Sequence, residues 1–297
     1  KKFEKEIFQT LNKVAADEPF VCVKSPITVK GAYLLNLNPD KAIELFLQAI
    51  KTDKRLMKES LWSANYFANS YFEKMYSFFS EAIQYEWEKE KDKDKGKSLA
   101  TILAMAWLRN EPNGENLLFS FLDKSNFGKS AIVNVALHPK NILLPSDKLN
   151  PKCVRLFEMF LESSDRDIIH AYSTAFLHLS IDNFDALFPL LRKYSTSTVF
   201  KQAPSYFCRY LLKLTKQHAK KCVELITEFD KLPPTNVTRS NYYEKEPLQV
   251  VLSIYNSLGK DKENNKIKEL CLDTFDKMLQ VPHLRNAAIK AIELVEN

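Results

Sequence analysis

Apolar residues recur every three or four positions along most of the chain, which is the spacing of one buried face of an α-helix. In the first half, one such stripe begins at Ile43, directly after the helix-start sequence Asn38-Pro39-Asp40. A second stripe runs from Ala64 to Ile83 and predicts one helix of about five turns. A third stripe begins at Leu99.

After residue 150 the pattern becomes a regular series of short helices separated by polar breaks. We predict five helices around Val154, Ile168, Phe184, Ala203 and Ala219, and then helices over Pro247–Leu258, Asn265–Gln280 and Pro282–Val295. Two helices per ~40 residues is the period of stacked helical hairpins. The sequence therefore predicts an all-α, HEAT/TPR-like right-handed solenoid. Its N-terminal helical part covers residues 1–150, and its C-terminal HEAT-like repeats cover residues 151–297.

The segment Pro19–Leu37 does not fit this pattern. It contains β-branched residues, such as Val21 and Ile27, without helical spacing. Such residues favour extended backbone. The sequence leaves this segment unassigned, as an extended crossing segment or a small hairpin.

Glycine is scarce, at 5 of 297 residues. Nucleotide-binding α/β folds and tightly turned β folds use glycine in phosphate loops and hairpins, so the composition disfavours both classes. Neither a P-loop motif nor a G-x-G-x-x-G motif is present. The formal net charge of +6 is shared by both halves, and it permits nucleic-acid contact without requiring it.

The five cysteines are far apart in sequence and form no C-x-x-C pair: Cys22, Cys153, Cys208, Cys222 and Cys271. Four of them lie in apolar helical patterns, where a free cysteine acts as a small core residue. This usage predicts a reducing, cytoplasmic location. No apolar run is long enough to span a membrane, so we expect no membrane partner.

Residue spacing offers no catalytic or metal-binding motif. His170 and His178 are eight residues apart, on one face of a predicted helix, but no third ligand accompanies them. Asp273 and Asp276 are better explained as surface carboxylates than as a catalytic pair. A HEAT-like base-excision enzyme would need a carboxylate in an aromatic-lined groove, and no residue is identified for that role. We therefore predict no enzymatic activity, no cofactor and no metal in this chain.

The clearest electrostatic feature is a stretch from Ala186 to Val223 that contains no Asp or Glu. Its basic residues, here called the basic ridge, are Arg192, Lys193, Lys201, Arg209, Lys213, Lys216, Lys220 and Lys221. Four of them share one helix face if the helix continues across Gln217-His218, namely Arg209, Lys213, Lys216 and Lys220, which are spaced four, three and four residues apart. The ridge either binds an acidic partner, with Tyr206 and Tyr210 available for stacking, or is neutralised by acids of neighbouring helices.

The end of the chain carries a more particular pattern. An apolar helix that ends in tyrosine, EPLQVVLSIYN at residues 246–256, precedes the segment ELCLDTFDKML at residues 269–279. This pair resembles the C-terminal helical-repeat region of bacterial STAND-type NTPases, the NLR-like anti-phage defence proteins. The chain departs from that pattern at Phe275 and at Val281-Pro282. Residues 155–200 are similar in style to the same region.

The resemblance implies a sensor region that recognises a phage component, with the NTPase domain outside this chain. It implies a protein partner, and a chain that begins at Lys1 as a piece of a longer protein. Two alternatives stay open: a nucleic-acid-binding helical repeat that uses the basic ridge, and a general protein-interaction scaffold.

Overall fold

The computed structural model describes residues 2–85, 93–231, 246–259, 262–282, 284–286 and 288. Every regular element in this part of the chain is helical, and the β-type pairing found there is a single isolated bridge between Leu143 and Leu149. The prediction of an all-α protein is confirmed.

The chain packs into two compact units, Lys1–Ile132 and Val133–Asn297, so the division precedes residue 150. The first unit contains helices α1 Lys2–Asp17, α2 Val21–Lys30, α3 Pro39–Thr52, α4 Leu61–Tyr71, α5 Tyr76–Ala82, α6 Lys93–Leu108 and α7 Gly114–Leu122. Short 3-10 helices cover Gly31–Asn36, Lys54–Leu56 and Glu73–Met75. Helix α8, Asn126–Leu137, contains the division.

The second unit contains the remaining helices of the described residues. They are α9 Pro139–Ile142, α10 Pro151–Glu158, α11 Arg166–Ala175, α12 Phe184–Ser195, α13 Thr198–Gln202, α14 Ser205–Glu224, α15 Glu246–Ser257 and α16 Lys262–Gln280. A 3-10 helix covers Phe229–Lys231. Most of the predicted helix Pro282–Val295 lies outside the described residues, and its described residues, 282, 284–286 and 288, are helical.

The predicted helix start before Ile43 is confirmed. The Asn38 side chain accepts a hydrogen bond from the Lys41 backbone N–H at 3.1 Å, and Pro39 occupies the first turn of α3. Both features are favoured at a helix N-terminus because the first N–H groups have no partner within the helix. Asp165 caps α11 in the same way, by accepting from the backbone N–H groups of Asp167 and Ile168.

The segment Pro19–Leu37 is helical, so the expectation of an extended segment or hairpin is wrong. Helix α2 and the 3-10 helix after it bury Lys24, Ile27, Thr28, Gly31 and Ala32, which are three and four residues apart. Two of these buried positions are polar, so the buried face of α2 does not appear in the sequence as a stripe of apolar residues. The Lys24 ammonium reaches the Thr52 hydroxyl at 3.0 Å, which satisfies it at the edge of the core.

The single helix predicted over Ala64–Ile83 is also wrong, because the chain bends between α4 and α5. Phe67 of α4 and Phe78 of α5 both contact the Phe46 ring of α3, with ring centroids 4.9 and 5.5 Å from it. In a straight helix these two residues would be separated by about 16 Å along the axis. The bend at Glu73–Met75 brings both rings onto the same partner.

The two helices predicted around Ala203 and Ala219 are the two parts of α14. They meet at a kink at His218, where the backbone is not helical, with φ of −128° and ψ of 31°. The His218 ring packs on Phe184 of α12, with ring centroids 4.7 Å apart.

An aromatic cluster forms the core of the second unit. Its centre is Tyr194 of α12, and the rings of Phe157, Tyr172, Phe176, Phe200 and Phe207 surround it at centroid distances of 4.6–6.3 Å. Four of these rings come from α10, α11, α13 and α14, and Phe176 directly follows α11, so rings from five helices meet in this cluster. The Tyr172 hydroxyl donates to the Phe157 carbonyl. The Tyr194 hydroxyl is buried without a hydrogen-bond partner among the described residues.

Polar cross-links between helices recur at a narrow range of sequence separations, 34 to 38 residues in the clearest cases. The pairs are Lys41–Glu4, Lys74–Asp40 and Lys95–Glu59 in the first unit, and Lys193–Glu158, Lys221–Asp185, Arg209–Glu246 and Thr215–Ser253 in the second. Helices that hold each other therefore lie about one hairpin apart in the chain.

The C-terminal hairpin packs largely as its apolar pattern predicts. Leu248 and Val251 of α15 are buried, as are Cys271 and Met278 of α16, and α15 packs against both α14 and α16. Leu270, the neighbour of Cys271 in the apolar segment 269–279, is 41% exposed.

Removing the hydroxyl of Tyr194 and removing that of Tyr172 should change the free energy of unfolding in opposite directions. Tyr194→Phe removes a buried hydroxyl without a partner, so we expect the free energy of unfolding to rise by about 1 kcal/mol. Tyr172→Phe removes a hydroxyl that donates to a carbonyl, so we expect a fall of about 1 kcal/mol. Urea denaturation of both variants measures the difference. A fall for Tyr194→Phe as large as that for Tyr172→Phe would show that the Tyr194 hydroxyl has a partner.

The cysteines predict a simple labelling pattern. Four are buried, and burial raises the pKa of Cys153 and Cys222 to about 12 and that of Cys271 to about 11, while the pKa of Cys208 is also raised. Because the thiolate is the reactive form, we expect iodoacetamide at pH 8 to modify only the exposed Cys22 in the folded chain. Mass spectrometry counts the adducts, and all five cysteines should react in denaturant. Equally fast labelling of a second cysteine in the folded chain would contradict the packing described above.

Candidate functional site

Five residues of the basic ridge are held in ion pairs. The pairs and their N–O distances are Lys193–Glu158 at 2.5 Å, Lys221–Asp185 at 2.7 Å, Arg209–Glu246 at 2.9 Å, Lys201–Glu228 at 3.7 Å and Arg192–Glu224 at 3.9 Å. Every one of these acids lies outside the acid-free stretch in sequence. The second interpretation of the ridge, neutralisation by neighbouring elements, therefore describes these five residues.

Arg209 makes the most enclosed of these pairs. Its Nε and Nη2 atoms donate to one Glu246 oxygen at 3.1 and 2.9 Å, and the Glu246 side chain is only 8% exposed. The guanidinium also packs over the Tyr206 ring, 5.4 Å from its centroid. Because a buried carboxylate is costly without a cation, Arg209 holds the start of α15 against α14.

The rest of the ridge does not form one continuous face. Lys213 and Lys216 are exposed and make no ion pair with a described residue. The kink at His218 separates them from Lys220 and Lys221. Tyr210, which we expected to be available for stacking, is buried, and its hydroxyl donates to the Ser180 carbonyl at 3.2 Å.

The first unit carries an exposed cluster of rings that the sequence did not reveal. Tyr33, Trp62 and Tyr66, here called the aromatic surface, are 63%, 44% and 47% exposed. The Trp62 ring centroid lies 6.1 Å from that of Tyr33 and 4.5 Å from that of Tyr66. The Lys30 ammonium sits over the Trp62 ring at 5.6 Å.

Helix α4 presents these rings because its two faces have different partners. Leu61, Ala64, Phe67 and Ala68 point into the core, so Trp62 and Tyr66, four residues apart, share the outer face. Tyr33 reaches them from the 3-10 helix in the segment that the sequence left unassigned. The sequence could have indicated two of these exposed rings, because Trp62 and Tyr66 are spaced Trp–x–x–x–Tyr opposite the apolar stripe of α4. No sequence pattern indicates that Tyr33 joins them.

A groove of about 520 Å³ adjoins the aromatic surface, between α4 and α6. Trp62 and Asn65 line one side of it, and Lys97, Ser98 and Thr101 line the other. The Trp62 ring therefore lies beside amide, hydroxyl and ammonium groups and the Glu59 carboxylate on one accessible part of the first unit.

A second groove, here called the α11–α14 groove, lies in the second unit and has a volume of about 440 Å³. It separates α11 from the corner between α13 and α14. Arg166, Ile169, His170 and Ser173 line it from α11, and residues 202–206 line it from the corner. None of its lining residues carries a carboxylate.

The histidine pair noted in the sequence does not share a helix, because α11 ends at Ala175, before His178. In the part of the chain that the structure describes, no three His, Cys, Asp or Glu side chains are grouped as a metal site would require. The described helices also include none with the length and apolarity needed to cross a membrane.

Comparisons with protein-family models, with curated proteins and with solved structures find no match for this chain.

We expect the loss of Arg209 to destabilise the chain, and the loss of Lys213, an exposed lysine of the basic ridge, to have little effect on stability. Arg209→Ala leaves a buried carboxylate without its cation, and we expect the free energy of unfolding to fall by about 2 kcal/mol, a value reduced because Arg209 is half exposed. Lys213→Ala, on the same helix, should change it by less than about 0.5 kcal/mol. Urea denaturation measures both variants.

The matched control adds Glu246→Gln to Arg209→Ala. The double variant carries no buried charge at this position, so part of the lost stability should return. If the double variant is no more stable than Arg209→Ala, the buried charge is not the cause.

Proposed function

We propose that this chain is a non-enzymatic recognition module that binds a protein partner. On the resemblance of its last fifty residues, we further propose that it is the C-terminal sensor region of a STAND-type anti-phage defence protein, and that the partner is a phage component. We place it in the cytoplasm, where free cysteines stay reduced.

The observation that carries the proposal is the aromatic surface. Tryptophan and tyrosine are enriched among the residues that contribute most to protein–protein binding, because they bury a large area and retain a polar atom. Tyr33 and Tyr66 each contact Trp62, and the three rings, at 44–63% exposure, form an apolar patch with polar neighbours, which is typical of an interaction site. The groove beside it, between α4 and α6, offers a place for a side chain of the partner.

The finer architecture that we propose is a HEAT/TPR-like solenoid. The cross-links at separations of 34 to 38 residues support it, because stacked hairpins contact their neighbours about one repeat away. Solenoids commonly bind proteins through extended surfaces, which fits a sensor.

The nucleic-acid alternative receives less support from the basic ridge. Phosphate binding depends on cations that can release their counterions, and five of the eight ridge residues already face a carboxylate. Tyr210 is buried as well, which removes one of the two rings proposed for stacking.

The test is capture of a phage protein by the 297-residue chain from infected-cell lysates, followed by a binding titration with the purified protein. We expect Trp62→Ala and Tyr66→Ala each to weaken binding by about tenfold or more, which corresponds to about 1.4 kcal/mol. Tyr76→Ala is the matched control, because Tyr76 lies in the same unit and is 43% exposed but contacts none of the three rings.

Two results would contradict the proposal. If no phage protein binds the chain from any lysate tested, the recognition function is wrong. If a phage protein binds but Trp62→Ala, Tyr66→Ala and Tyr76→Ala bind it equally well, the aromatic surface is not its site. Thermal unfolding of each variant confirms that the chain remains folded.

A further inference from the structure

The aromatic surface lies where three segments of the first unit contain no Asp or Glu. These segments are residues 19–39, 60–72 and 95–110, which include α2, α4 and most of α6. They are neighbours in the fold as well, because α4 packs against both α2 and α6. A carboxylate on this part of the unit therefore has to come from outside the three segments.

Acids from outside reach two lysines of α6 but not Lys30. The Lys95 ammonium lies 2.6 Å from the Glu59 carboxylate, and the Lys97 ammonium lies 4.0 Å from that of Asp94. Lys30 is exposed and makes no ion pair with a described residue, and its ammonium lies 5.6 Å from the centre of the tryptophan ring. Unlike the five paired residues of the basic ridge, Lys30 therefore leaves a positive charge beside the rings.

Two asparagine amides alternate with two of the rings along the outer face of α4. Trp62, Asn65, Tyr66 and Asn69 are all exposed, at spacings of three, one and three residues. Asn65 also lines the groove between α4 and α6, and the Asn69 Oδ1 atom accepts from Arg109 at 2.9 Å. An amide side chain donates and accepts hydrogen bonds, as a peptide group does. This face can therefore bind the backbone of a partner as well as its side chains.

The spacing of these groups matches that of an extended chain. Residues four apart on an α-helix are separated by about 6 Å along its axis. Alternate residues of an extended peptide are about 6.6–6.8 Å apart and point to the same side. Trp62 and Tyr66 are four residues apart. Asn65 and Asn69 have the same separation, so both pairs match an extended strand that runs along α4.

We propose that the outer face of α4 and the adjoining Lys30 bind an extended, acidic peptide segment of the protein partner. This proposal rests on the proposed function, because it names the part of the partner that the aromatic surface binds. Asn65 and Asn69 bind peptide groups of the segment. Trp62 and Tyr66 pack against its side chains, and one of its Asp or Glu residues pairs with Lys30.

A single-stranded nucleic acid is the other ligand that combines aromatic contacts with positive charge. Its backbone carries a phosphate at every unit and binds best to a track of cations. Lys95 and Lys97 each already face a carboxylate. The charge at this surface therefore favours a peptide with one or two acidic residues, and the amides of α4 favour a peptide backbone.

The test is selection of random linear 12-residue peptides, displayed on yeast, for binding to the 297-residue chain, followed by titration of synthetic peptides. We expect the enriched peptides to be acidic and to carry apolar residues at alternate positions. Methylation of single peptide nitrogens should weaken binding by about fivefold or more at alternate positions and by less than about twofold between them, because alternate N–H groups of an extended strand point to the same side. No enrichment, enrichment of basic peptides, or methylation effects without this alternation would overturn the proposal.

Variants of the chain then locate the peptide. Asn65→Ala and Lys30→Glu should each weaken binding of an enriched peptide by about fivefold. The matched controls are Asn12→Ala and Lys13→Glu, which make the same changes at exposed positions of α1 and should weaken binding by less than about twofold. Equal losses in the α1 variants would show that the peptide does not bind along α4. Thermal unfolding should be the same for all four variants, because all four side chains are exposed.

A 12-nucleotide oligothymidylate separates the two classes of ligand. We expect it not to displace an enriched peptide, and displacement that Trp62→Ala abolishes would show a nucleic-acid site and overturn the proposal. Failure of the peptide proposal can also be distinguished from failure of the proposed function. If a phage protein binds through Trp62 and Tyr66 but no linear peptide does, the partner presents a folded surface and only the peptide proposal is wrong. If acidic peptides bind along α4 but no phage protein binds, the sensor function is wrong and the peptide site remains.

Discussion

The structure depends on one constraint: the described helices bury their apolar stripes by packing against other helices. The cluster around Tyr194 shows this most clearly, because five short helices each contribute one or two rings and none encloses them alone. Short amphipathic helices are marginal in isolation and gain their stability from such packing. Polar cross-links between residues 34 to 38 positions apart add contacts at the edges of the packed faces.

The same constraint explains the charge distribution. A stretch of 38 residues without an acid looks strongly basic in sequence, yet its cations meet carboxylates supplied by elements 27 to 37 residues away. Local charge counts therefore overestimate the field of a helical array whose partners come from the next hairpin. Lys213 and Lys216 form no ion pair with a described residue, because no described acid lies close enough to their face of α14.

The hydrophobic periodicity of the sequence predicted the structural features that depend on a single helix. The capped start at Asn38, the burial of four cysteines and the buried faces of α15 and α16 all follow from local spacing. Features that depend on two elements were not predicted: Lys24 and Thr28 hide a helical stripe, and the bend near Glu73 exists because two phenylalanines share Phe46. Tyr33 is an ordinary residue in sequence, and only the fold brings it to Trp62.

The distribution of thiols has a practical consequence for handling the protein. Cys22 is the only described cysteine at the surface, and it lies on α2, the helix whose last residue places an ammonium over Trp62. A fluorophore or spin label attached there would report from the same unit as the aromatic surface without any engineered cysteine. The same accessibility allows two chains to join through a disulfide in oxidising buffer, so the state of association should be measured with a reductant present.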